Sequence, residues 1–150
     1  MNIFLQQTYE INKLISLSGR YKPKEFQEAV QNIVNSHKDY AIKNGEYIIT
    51  TTKSLEVIDG EQVLDVEVLL PVAYRIPVDS PYTYKERIMI TNALYAKVED
   101  ITMLQETITK INQYTIDHLL QPITSAYLVQ SKLENVPCVE IYIGLYPNIL

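Results

Sequence analysis

Two eight-residue segments of this sequence align without gaps at a distance of about half the chain. The first is DVEVLLPV at residues 65–72, and the second is CVEIYIGL at residues 138–145. Each alternates aliphatic residues with other side chains and contains one glutamate, so that Glu67 and Glu140 stand 73 positions apart. Alternation with period two is typical of half-buried strands. The repeat therefore predicts two equivalent strands and an internal duplication, with chance similarity of two amphipathic strands as the alternative.

The segments that precede these strands repeat as well. Apolar residues with helical spacing follow the turn at residues 22–24 and stop at Asn44-Gly45, a typical helix end. A second helix is predicted from Asp100, a good N-cap residue, to Gln121-Pro122. The first helix is expected to bury Phe26, Ala29, Val30, Ile33, Val34 and Ala41, with His37 and Tyr40 on the same side. The second is expected to bury Ile101, Leu104, Ile108, Ile111 and Leu119.

Strand-type segments complete the pattern. They precede the helices at residues 11–18 and 87–97 and follow them at 47–52, 63–72, 125–129 and 139–145. The order strand, helix, strand, strand thus occurs twice. It predicts an α+β fold of duplicated strand–helix–strand–strand halves with pseudo-twofold symmetry, in which an antiparallel sheet carries two helices on one face. Residues 1–150 are expected to form one domain, with halves at about 9–72 and 87–145 and a proline-containing crossover at 73–86.

Strand alternation assigns the predicted sheet faces. In the last strand Val139, Ile141, Ile143 and Leu145 share one side, which must face the helices because only these surfaces can bury each other. The other side carries Glu140 and Tyr142. In the strand at residues 87–97, the same argument predicts that Ile88, Ile90 and Leu94 lie under the helix, and that Met89, Thr91 and Tyr95 lie on the open side.

Charge and composition exclude several classes of function. A net charge of −5 and a pI near 5.0 give no basic surface for nucleic acid. Cys138, the single cysteine, cannot form an internal disulfide or anchor a structural zinc site, and the four glycines form no phosphate loop. We expect no cofactor and no metal. Because no signal peptide and no apolar run of about 20 residues is present, the protein is expected in the cytoplasm without a membrane partner.

Tyrosine is the unusual component of the sequence, with 12 Tyr against 2 Phe and no Trp. If the two half-sheets face each other across a groove, Glu140 lies at its floor between aromatic side chains. A carboxylate among aromatic rings suits an organic cation, because charge adds to cation–π attraction of about 0.5–2 kcal/mol per ring. A solvent-exposed sheet face is the alternative. The candidate ligand-binding residues are Glu140, Tyr142, Tyr95, Tyr127, Met89 and Glu67, with Tyr47 as a further possible wall.

The duplicated plan resembles the bacterial gyrase-inhibitor-like superfamily. This superfamily includes the effector-binding domains attached to AraC-type and multidrug-responsive MerR-type regulators. The resemblance extends from about Tyr9 to Leu145 and is carried by SLSGRYKPKEF (16–26), DVEVLLPV (65–72) and VEIYIGL (139–145). It implies that Glu140 matches the last-strand glutamate that pairs with cationic, lipophilic ligands in the family. The sequence has no basic helix-turn-helix, so a complete regulator is not expected, and it lacks the tryptophan that many family pockets use.

Three functions are compatible with these observations. The first is a non-enzymatic small-molecule-binding protein, in which hydrophobic or cationic ligands bind in the groove between the halves. The second is a protein-interaction module without a ligand pocket, whose acidic surface and tyrosine-bearing crossover dock onto a gyrase subunit, a regulator or a secretion accessory factor. The third is hydrolysis of a reactive small molecule, with Glu140 as the general base. No second catalytic group can be named, so an enzyme is the remote alternative.

Overall fold

The computed structural model describes residues 2–40, 48–133 and 136–147. The strand–helix–strand–strand order is present twice, as predicted. The first half comprises β1 (Ile3–Tyr21), α1 (Pro23–Ser36), β2 (Ile48–Ile58) and β3 (Glu61–Pro71). The second half comprises β4 (Thr83–Val98), a short 3₁₀ helix (Ile101–Met103), α2 (Leu104–Asp117), β5 (Tyr127–Leu133) and β6 (Val136–Gly144).

The strand order is the same in both halves. In each of them the first strand pairs with the third and the third pairs with the second, all antiparallel. The predicted α+β fold with duplicated halves is therefore confirmed. The halves are also joined to each other, because β1 pairs with β4 and β2 pairs with β5. The six strands consequently form a closed barrel in the order β1-β3-β2-β5-β6-β4. This closure was not predicted from the sequence.

Three apolar clusters hold the barrel and the helices together. In the first, Ala29 and Ile33 of α1 pack on β1 and β3, and in the second, Ile111 of α2 packs on β4 and β6. Both helices thus cover the same face of the sheet, which is the outside of the barrel. The third cluster contains no helical residue and fills the barrel interior around Leu14, Ile49, Leu69 and Val129.

The first helix is shorter than predicted. It begins with Pro23 at its first position, where a missing N–H costs nothing, and the Lys22 amide donates to Glu25 Oε1 at 3.0 Å. It ends at Ser36, and a turn follows through Tyr40. The predicted residue Ala41 and the predicted stop at Asn44-Gly45 lie outside the described residues.

The second helix differs from its prediction at both ends. Asp100 accepts a hydrogen bond from the Thr102 amide at 3.0 Å, as expected of an N-cap, but it caps the 3₁₀ turn and not α2 itself. The tighter 3₁₀ turn rotates Ile101 away from the helical stripe, and its side chain is exposed. Leu119 follows the helix end with a left-handed φ of 54° and is also exposed. The prediction that these two residues are buried is wrong.

One face assignment in β4 is also wrong. Ile88 was expected under the helix, but it packs in the interior cluster, while Leu94 packs under α2. The two residues differ in orientation because Asn92, between them, adopts a left-handed φ of 48°. Next to it the β1–β4 register shifts between Gln7 and Tyr9, which marks an irregularity that interrupts simple alternation.

Candidate ligand-binding site

The register of the barrel brings four of the six predicted site residues into one row. Thr51 is the strand partner of both Glu67 and Tyr127, Tyr127 is the partner of Tyr142, and Tyr142 is the partner of Tyr95. Directly opposed residues in antiparallel strands point to the same face of the sheet. The row therefore runs around the barrel interior from a carboxylate in the first half to three tyrosines in the second.

Glu140 lies beside this row on β6, two residues before Tyr142. Its strand partners are Val129 on β5 and Lys97 on β4. The Glu140 side chain is half-buried, and the Tyr142 hydroxyl donates to its Oε2 over a long 3.4 Å. The Lys97 ammonium lies 3.9 Å from Glu99. Among the ion pairs of the described residues, none contains Glu140, so its charge has no fixed cation there.

A cluster of aromatic rings lies beside this carboxylate. Tyr9 stacks on Tyr142 with 4.4 Å between ring centroids, and Tyr95 approaches Tyr142 at 5.0 Å. Phe4 extends the cluster, 6.0 Å from Tyr95. Tyr9 and Phe4 were not among the predicted site residues because the first strand was predicted to begin at residue 11, whereas β1 begins at Ile3. The β-type run IFLQQTYEI was the signal that could have found them.

This environment raises the pKa of two tyrosine hydroxyls. Burial raises the pKa of the Tyr95 and Tyr142 phenols above the ordinary value of 10.0, since ionisation places a charge in a poorly hydrated site. The negative charge of Glu140 raises both pKa values further, and its hydrogen bonds to the protonated phenols act in the same direction. Both phenols are consequently neutral hydrogen-bond donors at physiological pH.

This coupling makes a testable prediction. We expect Glu140→Gln to lower the pKa of the Tyr95 and Tyr142 phenols, because it removes the charge that opposes their ionisation. Titration of the tyrosine ring carbons by NMR would measure the change. Tyr84 serves as an internal control, because its pKa is raised by burial and by Glu86, not by Glu140. Equal shifts at Tyr84 and at the two site tyrosines would contradict the placement of Glu140.

Glu67, the first-half counterpart of Glu140, lies in a different environment. Its residue is only 3% exposed, and Oε2 accepts a 2.6 Å hydrogen bond from Ser16 Oγ and lies 2.6 Å from Lys85 Nζ. Burial alone would raise the pKa of the Glu67 carboxyl, but the bonds from Lys85 and Ser16 outweigh it and hold the pKa below its usual range. Burial and the Glu67 charge raise the pKa of Tyr127. Glu67 is therefore an already paired anion.

One further predicted residue, Met89, is not part of this arrangement. Met89 is 47% exposed, and since its neighbour Ile88 points inward, Met89 points away from the barrel interior. Its assignment to the site is a correction with the same cause as the β4 face error. Tyr47 lies outside the described residues. The barrel interior next to Leu69 is filled by the third cluster, whereas the Glu140 side chain is half-buried.

Three cavities of about 460, 560 and 600 Å³ lie elsewhere on the molecule, and none of the three is lined by Glu140 or Tyr142.

The single cysteine is buried. Burial raises the pKa of the Cys138 thiol, which makes it a poor nucleophile. Within residues 2–40, 48–133 and 136–147, no group of three metal-ligating side chains could hold an ion. None of the helices described is both long enough and apolar enough to traverse a bilayer.

No family model and no curated protein sequence matches the chain. Solved structures do match. EcmrR, in a complex with DNA, is 12% identical and superposes with a TM-score of 0.65, covering 95% of this chain and 57% of EcmrR. The chain thus spans little more than half the length of that neighbour.

A second neighbour is a proposed bacterial transcription regulation protein from Staphylococcus aureus. It is 9% identical, with a TM-score of 0.52, and the match covers 94% of this chain and 97% of the other. An integron cassette protein from Vibrio cholerae is 13% identical with a TM-score of 0.48. The feature that EcmrR and the Staphylococcus aureus protein share with this chain is the fold.

Proposed function

We propose that this chain is a non-enzymatic small-molecule-binding protein whose ligands are hydrophobic cations. Glu140 supplies the negative charge, and Tyr95 and Tyr142 supply aromatic walls, with Tyr127 next to them along the row. The observation that carries the proposal is the half-buried Glu140 carboxylate, which lies among aromatic rings and has no fixed cation among the described residues.

The energetics favour a cation over a neutral ligand of the same shape. A partly desolvated carboxylate is costly until it is paired, and an incoming cation pairs it. Each aromatic face adds about 0.5–2 kcal/mol of cation–π attraction. A neutral ligand gains only the burial of its apolar surface.

The fold comparisons support the same class of function. The solved structures that resemble this chain include regulator-related proteins with effector-binding-like folds. The resemblance of its motifs to the gyrase-inhibitor-like superfamily points to the last-strand glutamate, Glu140, as the cation-binding residue.

Calorimetric titration with a matched pair of probes tests the proposal. The probes are 9-aminoacridinium, a planar cation, and acridine, which has the same ring system but is neutral near pH 7.5. We expect Glu140→Gln to weaken binding of the cation at least about tenfold, which corresponds to about 1.4 kcal/mol. Binding of neutral acridine should be the same in both proteins.

The control variant is Glu28→Gln. Glu28 lies on α1 in the first half, is exposed and carries the same charge, so this variant changes the net charge equally at a distance from the site. We expect less than about a twofold change in affinity for the cation. An equal loss in both variants would mean that net charge, not the Glu140 site, attracts the probe, and absence of binding to the wild type would contradict the proposal.

The alternative function is a protein-interaction module. The exposed Tyr74 on the crossover between the halves favours it, because aromatic side chains are enriched where proteins dock. Under this alternative the planar cation does not bind, and Tyr74→Ala weakens association with the partner while Glu140→Gln does not.

A further inference from the structure

The internal symmetry makes Glu67 and Glu140 equivalent positions of the two halves. Ser16 on β1 is the strand partner of Leu69, two residues after Glu67. Tyr95 on β4 is the strand partner of Tyr142, two residues after Glu140. In each half a hydroxyl from the first strand therefore faces the carboxylate of the third strand. Ser16 donates to Glu67 Oε2 at 2.6 Å, and Tyr95 interacts with Glu140.

The two equivalent carboxylates differ in whether a cationic side chain pairs with them. Glu67 Oε2 lies 2.6 Å from the ammonium of Lys85, a residue contributed by β4 of the other half. Glu140 has no corresponding ion pair among the described residues. The first-half carboxylate is thus occupied by a cation from the chain itself, whereas the second-half carboxylate is not.

We propose that Glu67 and Ser16 form a second cation site, specific for a protonated amine that can donate a hydrogen bond, which the side chain of Lys85 fills. The contacts argue for such an N–H donor. Both donors reach Oε2 at 2.6 Å, a distance that requires a hydrogen on the cation, so a quaternary ammonium cannot replace it. The site therefore differs from Glu140, where aromatic walls favour bulky hydrophobic cations.

The exposure of Lys85 also indicates a path from solvent to the Glu67 carboxylate. The Lys85 side chain is 43% exposed, although its ammonium reaches a carboxylate that is nearly inaccessible. The lysine stem therefore lies along a route from solvent to Glu67. Lys85→Ala removes the atoms from Cγ to Nζ, which together correspond to n-propylamine. A propylammonium ion should fit the space that the substitution leaves.

Chemical rescue tests this inference without any use of Glu140. Removal of the partner from a buried charge should lower the melting temperature of Lys85→Ala by about 6–12 °C. Propylammonium chloride at about ten times its Kd should then raise the melting temperature by about 3–6 °C. Equal concentrations of sodium chloride and tetramethylammonium chloride should not, because neither cation donates a hydrogen bond.

Two variants control for general effects of the amine. Lys110→Ala removes an exposed ion pair with Glu106 and should show no propylammonium-specific rise. The double variant Lys85→Ala/Glu67→Gln should lose the rescue, because the anion is gone. If Lys85→Ala does not fold in sodium chloride, folding on addition of propylammonium alone carries the same result. Equal effects of propylammonium and tetramethylammonium would overturn the inference, whatever is found for ligand binding at Glu140.

Discussion

Ile141→Ala is expected to lower the free energy of unfolding by about 4 kcal/mol, because it removes three buried carbon atoms and leaves a cavity. Ile141 is 0% exposed and packs on β6 against the cluster that contains Leu94 and Ile111 of α2. That cluster fixes the helix on the barrel, so the surrounding side chains have little freedom to collapse into the space. Equilibrium unfolding in urea would measure the change from the midpoint and the slope.

The adjacent residue provides the matched control. Glu140→Gln changes a half-buried side chain that points to the other face, and we expect a stability change below about 1 kcal/mol. Val139→Ala, which removes fewer atoms from the same cluster, should fall between the two variants. If Glu140→Gln destabilised the protein more than Val139→Ala, the assignment of these residues to opposite faces of β6 would be wrong.

Lys85→Met should lower the free energy of unfolding by about 3 kcal/mol at pH 7. It leaves the Glu67 carboxylate buried without its cation, and breaking a buried pair in this way costs roughly 3–5 kcal/mol. We expect the lower end of this range, because Lys85 itself is partly exposed and water can follow it inward. Lys110→Met, in an exposed pair on α2, is the matched lysine substitution and should cost below about 0.5 kcal/mol.

The pH dependence of this deficit has a definite sign. In the wild type the folded-state pKa of Glu67 is below its ordinary value of 4.5. The stability that it contributes is therefore present above that value and is lost as the pH falls through the folded-state pKa. In Lys85→Met burial dominates and favours the protonated carboxyl. The deficit relative to the wild type should shrink between pH 7 and pH 5, and a deficit that stayed constant would mean that packing, not charge, is lost.

Local patterns were sufficient to predict the duplicated halves. The alternation of Val139, Ile141 and Ile143 gave the helix-facing side of β6, and the matched segments around Glu67 and Glu140 gave equivalent strands. Such patterns depend on neighbouring residues and can be read directly. Pairing between β1 and β4 and between β2 and β5 joins residues up to 93 positions apart, such as Ile3 and Ala96, and no local pattern specifies it. Barrel closure was missed for that reason.

The errors in the candidate site have a second physical cause. Simple alternation assumes that every strand residue has extended dihedral angles, and Asn92 does not. The left-handed residue reverses the orientation of the preceding part of β4, which moved Ile88 inward and Met89 outward. The pairing of Glu67 with Lys85 could not be predicted from local sequence patterns either, because Lys85 belongs to the other half. Glu140, Tyr142 and Tyr95 were found correctly as neighbours because β4 and β6 keep regular register there.

The joining of the two halves along both edges has an evolutionary consequence. Two copies of one strand–helix–strand–strand unit, associated about a twofold axis, would form the same ring of strands as a homodimer. In such a dimer every substitution appears twice, so a lysine placed against one carboxylate would block both. Once the two units belong to a single chain, each can change independently. Among the described residues, Glu67 forms an ion pair with Lys85 and Glu140 forms none, an asymmetry that only a fused pair can acquire.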